Sequence, residues 1–245
     1  MKSLWDIWIP KRGDAPVVPA IHLCPMIIGP SRIIHCPHCN GELRVWHIVS
    51  GNTFGGELWS DGYMYAPMMM EPILVTRCAH CTGIFWVEDA KESADSPDYS
   101  PLISDDPEPP ERTDLPMIGW LDGTVIETAL HLVKEEDPPR REIHLLTKWL
   151  HLENHGQRNG SMAPFHHEPP DIGATEKTRR TERLYQLLGD GDDHKLLKSY
   201  LLLALERPEE AVRQLDLVTD PKYGEIKGKF RSVMGKKGAG LFRVW

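Results

Sequence analysis

Two Cys-x-x-Cys turns, Cys36-Pro37-His38-Cys39 and Cys78-Ala79-His80-Cys81, stand 38 residues apart in the front part of the chain. Each is followed by a small polar residue and a glycine, Asn40-Gly41 and Thr82-Gly83. One such turn serves redox chemistry as readily as metal binding. A matched pair is more specific, because four thiolates make a tetrahedral cage suited to Zn2+. The two glycines are read as the residues that take positive φ on leaving each turn. The gap exceeds the roughly 15–20 residues of compact double-turn patterns. Leu43–Val49 reads as one strand, Ile73–Arg77 as a second that leads into the other turn, and Gly83–Val87 as the strand after it. The front of the chain is therefore read as a zinc ribbon with an enlarged hairpin.

Cys36, Cys39, Cys78 and Cys81 are the expected ligands of one structural Zn2+. A four-cysteine site has no open coordination position, which separates a structural zinc from a catalytic one. An iron site of rubredoxin type shares this ligand set and remains an alternative. Met1–Asp6 contains no apolar segment of the secretory kind. The cytoplasm is the expected location, and there paired CxxC turns favour metal over disulfides. His38 and His80 are expected at the knuckle tips, partly exposed and outside the ligand set. Cys24 has no partner pattern and is read as a buried thiol.

The formal net charge of −8 disfavours nucleic-acid binding by the surface as a whole. No apolar run has the length that spans a membrane. Charge is nevertheless uneven. From Glu88 to Asp114 there are ten acidic residues against Lys91 and Arg112, and from Pro221 to Trp245 seven basic residues against Glu225. The basic stretch is read as a solvated tail, with contact to an acidic partner as the alternative.

The expected fold is α+β, with a β-rich ribbon followed by an α-helical bundle. The boundaries are residues 1–90 for the ribbon domain, 91–116 for an acidic Pro-rich linker, 117–220 for the helical domain and 221–245 for the basic tail. Residues 1–30 read as extended segments packed on the ribbon. Apolar periodicity predicts helices over 124–134, 142–153, 178–188 and 194–206. Pro208 with Glu209 and Glu210 opens a fifth, running to Leu217. The last two helices, joined by Glu206-Arg207-Pro208, resemble one tetratricopeptide (TPR)-type hairpin.

Other groups carry weaker chemistry. His144, His151, His155, His166, His167 and Glu168 would supply ligands for a metal-dependent hydrolase or nuclease. His151-Leu152-Glu153-Asn154-His155, however, places its glutamate one position too late for HExxH. Asp190, Asp192 and Asp193 lack EF-hand spacing and read as a turn with Asp193 as helix N-cap. Met64, Met68, Met69 and Met70 fall in the enlarged loop. Thioethers hold Cu(I) or pack adaptably at partner surfaces; ordinary packing is the leading expectation.

Trp59-Ser60-Asp61-Gly62-Tyr63-Met64-Tyr65-Ala66-Pro67-Met68, Glu71-Pro72 and Cys78 through Trp86 together resemble a group of uncharacterised bacterial proteins. In these a zinc-ribbon-like front precedes a helical, TPR-like region. The resemblance implies that the four cysteines act as one metal set, and it brings no activity. The expected function is a zinc-binding, non-enzymatic adaptor with a protein partner. The alternatives are the His/Glu hydrolase or nuclease, and nucleic-acid binding through the ribbon and the basic tail.

Overall fold

The structure is a computed structural model describing residues 26–96, 112–158, 171–234 and 240–244. Cys24, His166, His167, Glu168 and most of the acidic linker lie outside the described residues. The fold is mixed α and β, with small antiparallel sheets in the N-terminal part of the sequence and most helices in the C-terminal part. The chain divides into two compact units. Among the described residues, a ribbon unit takes 26–52 and Met68–Leu132, and a helical unit takes Thr53–Pro67 and the chain from Val133 onward.

In the ribbon unit, β1 (Ile27–His35) pairs antiparallel with β2 (Glu42–Ser50). Strand β5 (Val75–Arg77) pairs with β6 (Ile84–Trp86). The enlarged hairpin expected between Leu43–Val49 and Ile73–Arg77 is therefore not the observed pairing. Each CxxC turn instead closes its own hairpin, with His35 opposite Glu42 in one and Arg77 opposite Ile84 in the other. Strand β1 was hidden in the sequence by Gly29 and Pro30. The ladder slips between Gly29 and Arg32, an irregularity of the kind that lets a strand carry a proline, which has no N–H to donate.

Strand β7 (Lys91–Glu92) adds to the other side of β1, fastened by a bidentate Arg32–Glu92 ion pair at 2.8 and 3.1 Å. The first residues assigned to the linker thus belong to the sheet. Its far end does too: Arg44 N–H donates to Pro116 O, and Ile118 N–H donates to Arg44 O, both at 2.9 Å. Helix α1 (Gly123–Leu132) is capped by Asp122, whose carboxylate accepts from Val125 N–H at 2.8 Å. It packs on β5 and β6, so it groups with the ribbon, whereas the sequence boundary at 117 placed it with the later helices. The core here is small: Ile34, Leu43, Val45, Phe85 and Ile118 surround the buried Cys36 and Cys78.

The helical unit contains α2 (Pro139–Glu153), α3 (Gly173–Leu187), α4 (Asp192–Ala204), α5 (Pro208–Asp216) and α6 (Gly224–Met234). Its core is apolar: Leu145, Trp149, Leu184, Leu196, Leu201, Leu215 and Phe230 are each at most 2% exposed. A short hairpin, β3 (Glu57–Leu58) with β4 (Met64–Tyr65), belongs to it as well. The 221–245 stretch is not a solvated tail throughout. Tyr223, Ile226 and Phe230 are buried, Phe242 meets Phe230 edge-on at 4.9 Å, and Phe242 exchanges hydrogen bonds with Ser60. Helix α6 escaped the periodicity reading because Lys and Gly interleave its two buried apolar side chains, Ile226 and Phe230.

Helices α4 and α5 form the most extensive helix pair. Their junction places Glu206 at φ 58°, with Arg207 N–H donating to Leu202 O at 2.8 Å and Glu206 N–H to Leu203 O at 3.0 Å. This is a Schellman closure with a glutamate where glycine is preferred. Glu206→Gly is expected to raise the stability of the helical unit by about 1 kcal/mol. Thermal unfolding of the two proteins checks it, and a lowered midpoint would contradict it.

Asp192, not Asp193, organises the start of α4. Its carboxylate accepts from Thr219 N–H at 2.8 Å and Asp220 N–H at 2.6 Å and pairs with Lys195 at 2.7 Å; Asp193 is buried and Gly191 occupies the N-cap. Burial raises its pKa, but the Lys195 bond and the two backbone N–H groups win and hold it at about 2. A carboxyl depressed in the folded state stabilises the fold above its unfolded pKa of about 3.9 and stops doing so as pH falls through the folded value. Asp192→Asn is therefore expected to melt lower than the parent at neutral pH. The gap should close as pH falls from about 4 to 2, as thermal melts across that range would show.

Candidate metal centre

The four cysteine sulfurs lie within 4.8 Å of one another. Cys36 Sγ stands 3.8 Å from Cys81 Sγ, and Cys39 Sγ 3.7 Å from Cys78 Sγ. A regular tetrahedron with Zn–S bonds of about 2.3 Å has S···S edges of about 3.8 Å. A disulfide would need about 2.05 Å, and all four thiols are free. The donor set and spacing fit one Zn2+.

The two knuckles repeat each other at an offset of 42 residues. Cys36 N–H donates to Gly41 O at 3.0 Å and Cys78 N–H to Gly83 O at 2.9 Å; Asn40 N–H donates to Cys36 O at 2.9 Å and Thr82 N–H to Cys78 O at 3.0 Å. The amides inside each turn point at the first sulfur, His38 N–H to Cys36 Sγ at 3.4 Å and His80 N–H to Cys78 Sγ at 3.3 Å. Positive φ falls on Asn40 (59°) and Thr82 (60°), one residue before the glycines that the sequence reading had assigned to it. The glycines answer a different demand. A Cβ on Gly41 would stand 2.4 Å from His80 Cδ2, and one on Gly83 2.7 Å from His38 Cδ2.

The histidines therefore cross over. His38 Nε2 lies 2.9 Å from Ile84 O, and His80 Nε2 lies 2.9 Å from Glu42 O. A carbonyl only accepts, so each Nε2 carries the proton and donates. Both rings remain exposed, as expected of knuckle tips, but each is tied to the opposite hairpin. The sequence pattern had offered one signal for this, the identical placement of His and Gly in both turns.

Without a cation the thiols ionise unequally. Burial raises Cys78, but the N–H groups of Cys81 and His80 and the adjoining thiols outweigh it and bring the group down to about 7. The Gly41 N–H favours the Cys39 thiolate, yet desolvation and the three neighbouring thiols together push it up to about 12. Burial holds Cys36 up as well. Four thiolates packed this closely repel one another, and a bound dication would supply the compensating charge.

No second metal-ligating group of three or more residues appears among the described residues. His151 instead sits against the β3–β4 hairpin, its Nε2 3.2 Å from Asp61 O and its ring edge-on to Tyr63 at 5.3 Å. Asp61 and Arg158 form an ion pair whose side chains are 0% exposed. Asn154 Nδ2 donates to Asp61 and to Tyr200 Oη, each at 2.9 Å. Burial raises the Asp61 pKa, opposed by the Arg158 guanidinium and the Asn154 amide. This cluster fastens the hairpin inside the helical unit.

Several basic residues of the 221–245 stretch are also committed to the fold. Lys227 donates to the last carbonyl of α5, Asp216 O, at 3.3 Å and to Val218 O just beyond it at 2.7 Å, Arg231 pairs with Asp216 and Arg243 with Glu57. Met64 lies in β4 of the helical unit, while Met69 and Met70 line a groove of about 450 Å³ in the ribbon unit. Trp46, Ile73 and Trp120 share that groove. No helix among the described residues is long and apolar enough to cross a membrane. No protein-family model, curated protein or solved structure matches this chain.

Proposed function

We propose that this is a zinc protein whose metal is structural, and that it acts without catalysis by presenting its ribbon to a protein partner. The observation that carries the reading is the four-sulfur cluster: on a tetrahedral ion these sulfurs would fill all four positions and leave none for water or substrate. Four thiolates also suit zinc in keeping with its preference for sulfur at closed structural sites. The partner surface is the open edge of β2. Among the described residues that strand ends its sheet, with a bridge to Met117 at Arg44 on the side away from β1. Trp46 of that strand is exposed, and the groove with Met69, Met70 and Trp120 runs beside it. An open, apolar edge suits an extended peptide segment added as a further strand. The TPR-like pairing of α4 with α5 would offer a second contact surface.

Metal analysis of the purified chain with a partner capture tests both halves. About one zinc per chain is expected, and capture of an extended-peptide partner that Trp46→Glu abolishes. Metal-free protein with an intact ribbon would refute the first half, and capture unaffected by Trp46→Glu the second.

A further inference from the structure

We propose that His38 and His80 are positioning residues that clamp the two knuckles to each other and hold the four sulfurs at metal-binding spacing before the ion arrives. The inference rests on the four-cysteine metal reading and adds the residues that set its affinity. Three observations carry it. Each imidazole leaves its own turn and donates to a backbone carbonyl of the other hairpin, at Glu42 and Ile84, the first residues of β2 and β6. Each lies where the opposite glycine has no side chain, and the next larger residue would collide with it. The arrangement occurs twice, with matching distances of 2.9 Å, so it is a property of the paired turns and not of one rotamer.

The hairpins contribute two sulfurs each, and a site split between two elements must otherwise bring them together at the moment of binding. Two hydrogen bonds between the hairpins that involve no atom of the ion would remove part of that ordering cost. His38 is further fixed edge-on to Phe85 at 6.4 Å, a side chain of the buried ribbon core. Outer groups that orient ligands in this way typically change metal affinity by about 10- to 100-fold when removed.

The glycines make the proposal testable beyond simple loss of a contact. Neither Gly41 nor Gly83 has positive φ, so alanine is acceptable to the backbone at both places. The only obstacle to Gly41→Ala is the ring of His80, from the other turn. Cobalt(II) titration of the full-length chain against a competing chelator reads the affinity, and the thiolate-to-cobalt absorption reads the ligand set. His38→Phe with His80→Phe should weaken binding about 10- to 100-fold while leaving the four-sulfur spectrum unchanged. His38→Gln with His80→Gln, which keeps a donor at similar reach, should recover most of that loss. Gly41→Ala should weaken binding in the parent and have little further effect beside His80→Ala.

Unchanged affinity in the Phe variant overturns the proposal, as does a Gly41→Ala effect of equal size in both backgrounds. A spectrum altered by the Phe substitutions also overturns it, since the histidines would then be ligands. Failure of the parent chain to take up cobalt overturns the metal centre itself, and the clamp with it. Thermal unfolding of the helical unit, followed in the same samples, separates these outcomes from general misfolding.

Discussion

Cys78→Ser is expected to unfold the ribbon unit. The sulfur lost is 1% exposed, lies 3.7 Å from Cys39 Sγ and belongs at once to the metal cage and to the apolar core with Leu43 and Phe85. Apparent binding energies of structural zinc run to about 10–16 kcal/mol at neutral pH. The whole stability of an ordinary domain is about 5–15 kcal/mol. A core as small as this one cannot replace the metal's share. The strand signals and the metal should therefore disappear together, and chelation of the parent protein should reproduce the effect. The helical unit has its own core and should keep its circular dichroism. A Cys78→Ser protein with a folded, metal-loaded ribbon would contradict this account.

The second large effect concerns Arg158. Its guanidinium and the Asp61 carboxylate are both fully buried, so removing one leaves the other buried without its countercharge. Arg158→Met is expected to destabilise the helical unit by about 3–5 kcal/mol. Asn154 and the Tyr63 N–H, 3.1 Å from Asp61 Oδ1, do not carry a countercharge and cannot compensate. Asp61→Asn in the same chain removes the stranded charge and should return a large part of the loss. Chemical denaturation of the two single variants and the double variant measures the coupling. Additive losses would show that the pair does not act as a unit.

The cysteines that cluster and most helices were legible in the sequence because their signals are local. Spacing alone picks out Cys36, Cys39, Cys78 and Cys81; apolar periodicity placed α1, α2 and α4 within about three residues of their ends, α3 begins five residues before its expected start, and Pro208 with its acidic first turn placed α5. What was not legible depends on pairing between distant segments. Nothing in Leu43–Val49 says that its partner is the proline-bearing strand before it and not Ile73–Arg77 after it. Likewise, Trp59 through Tyr63 read as part of a ribbon loop, although Asp61 meets Arg158 nearly a hundred residues later inside the helical unit. Gly41 and Gly83 were correctly singled out but for the wrong reason. Local conformational preference pointed to positive φ, whereas the demand comes from a ring on the other turn.

X-ray absorption at the zinc edge of the purified protein tests the central claim most directly. Four sulfur neighbours at about 2.3 Å, with no nitrogen or oxygen, are predicted for a closed cage of Cys36, Cys39, Cys78 and Cys81. A nitrogen or oxygen neighbour at about 2.0–2.1 Å would mean that a histidine or water occupies a position, and the account of a closed structural site would fail.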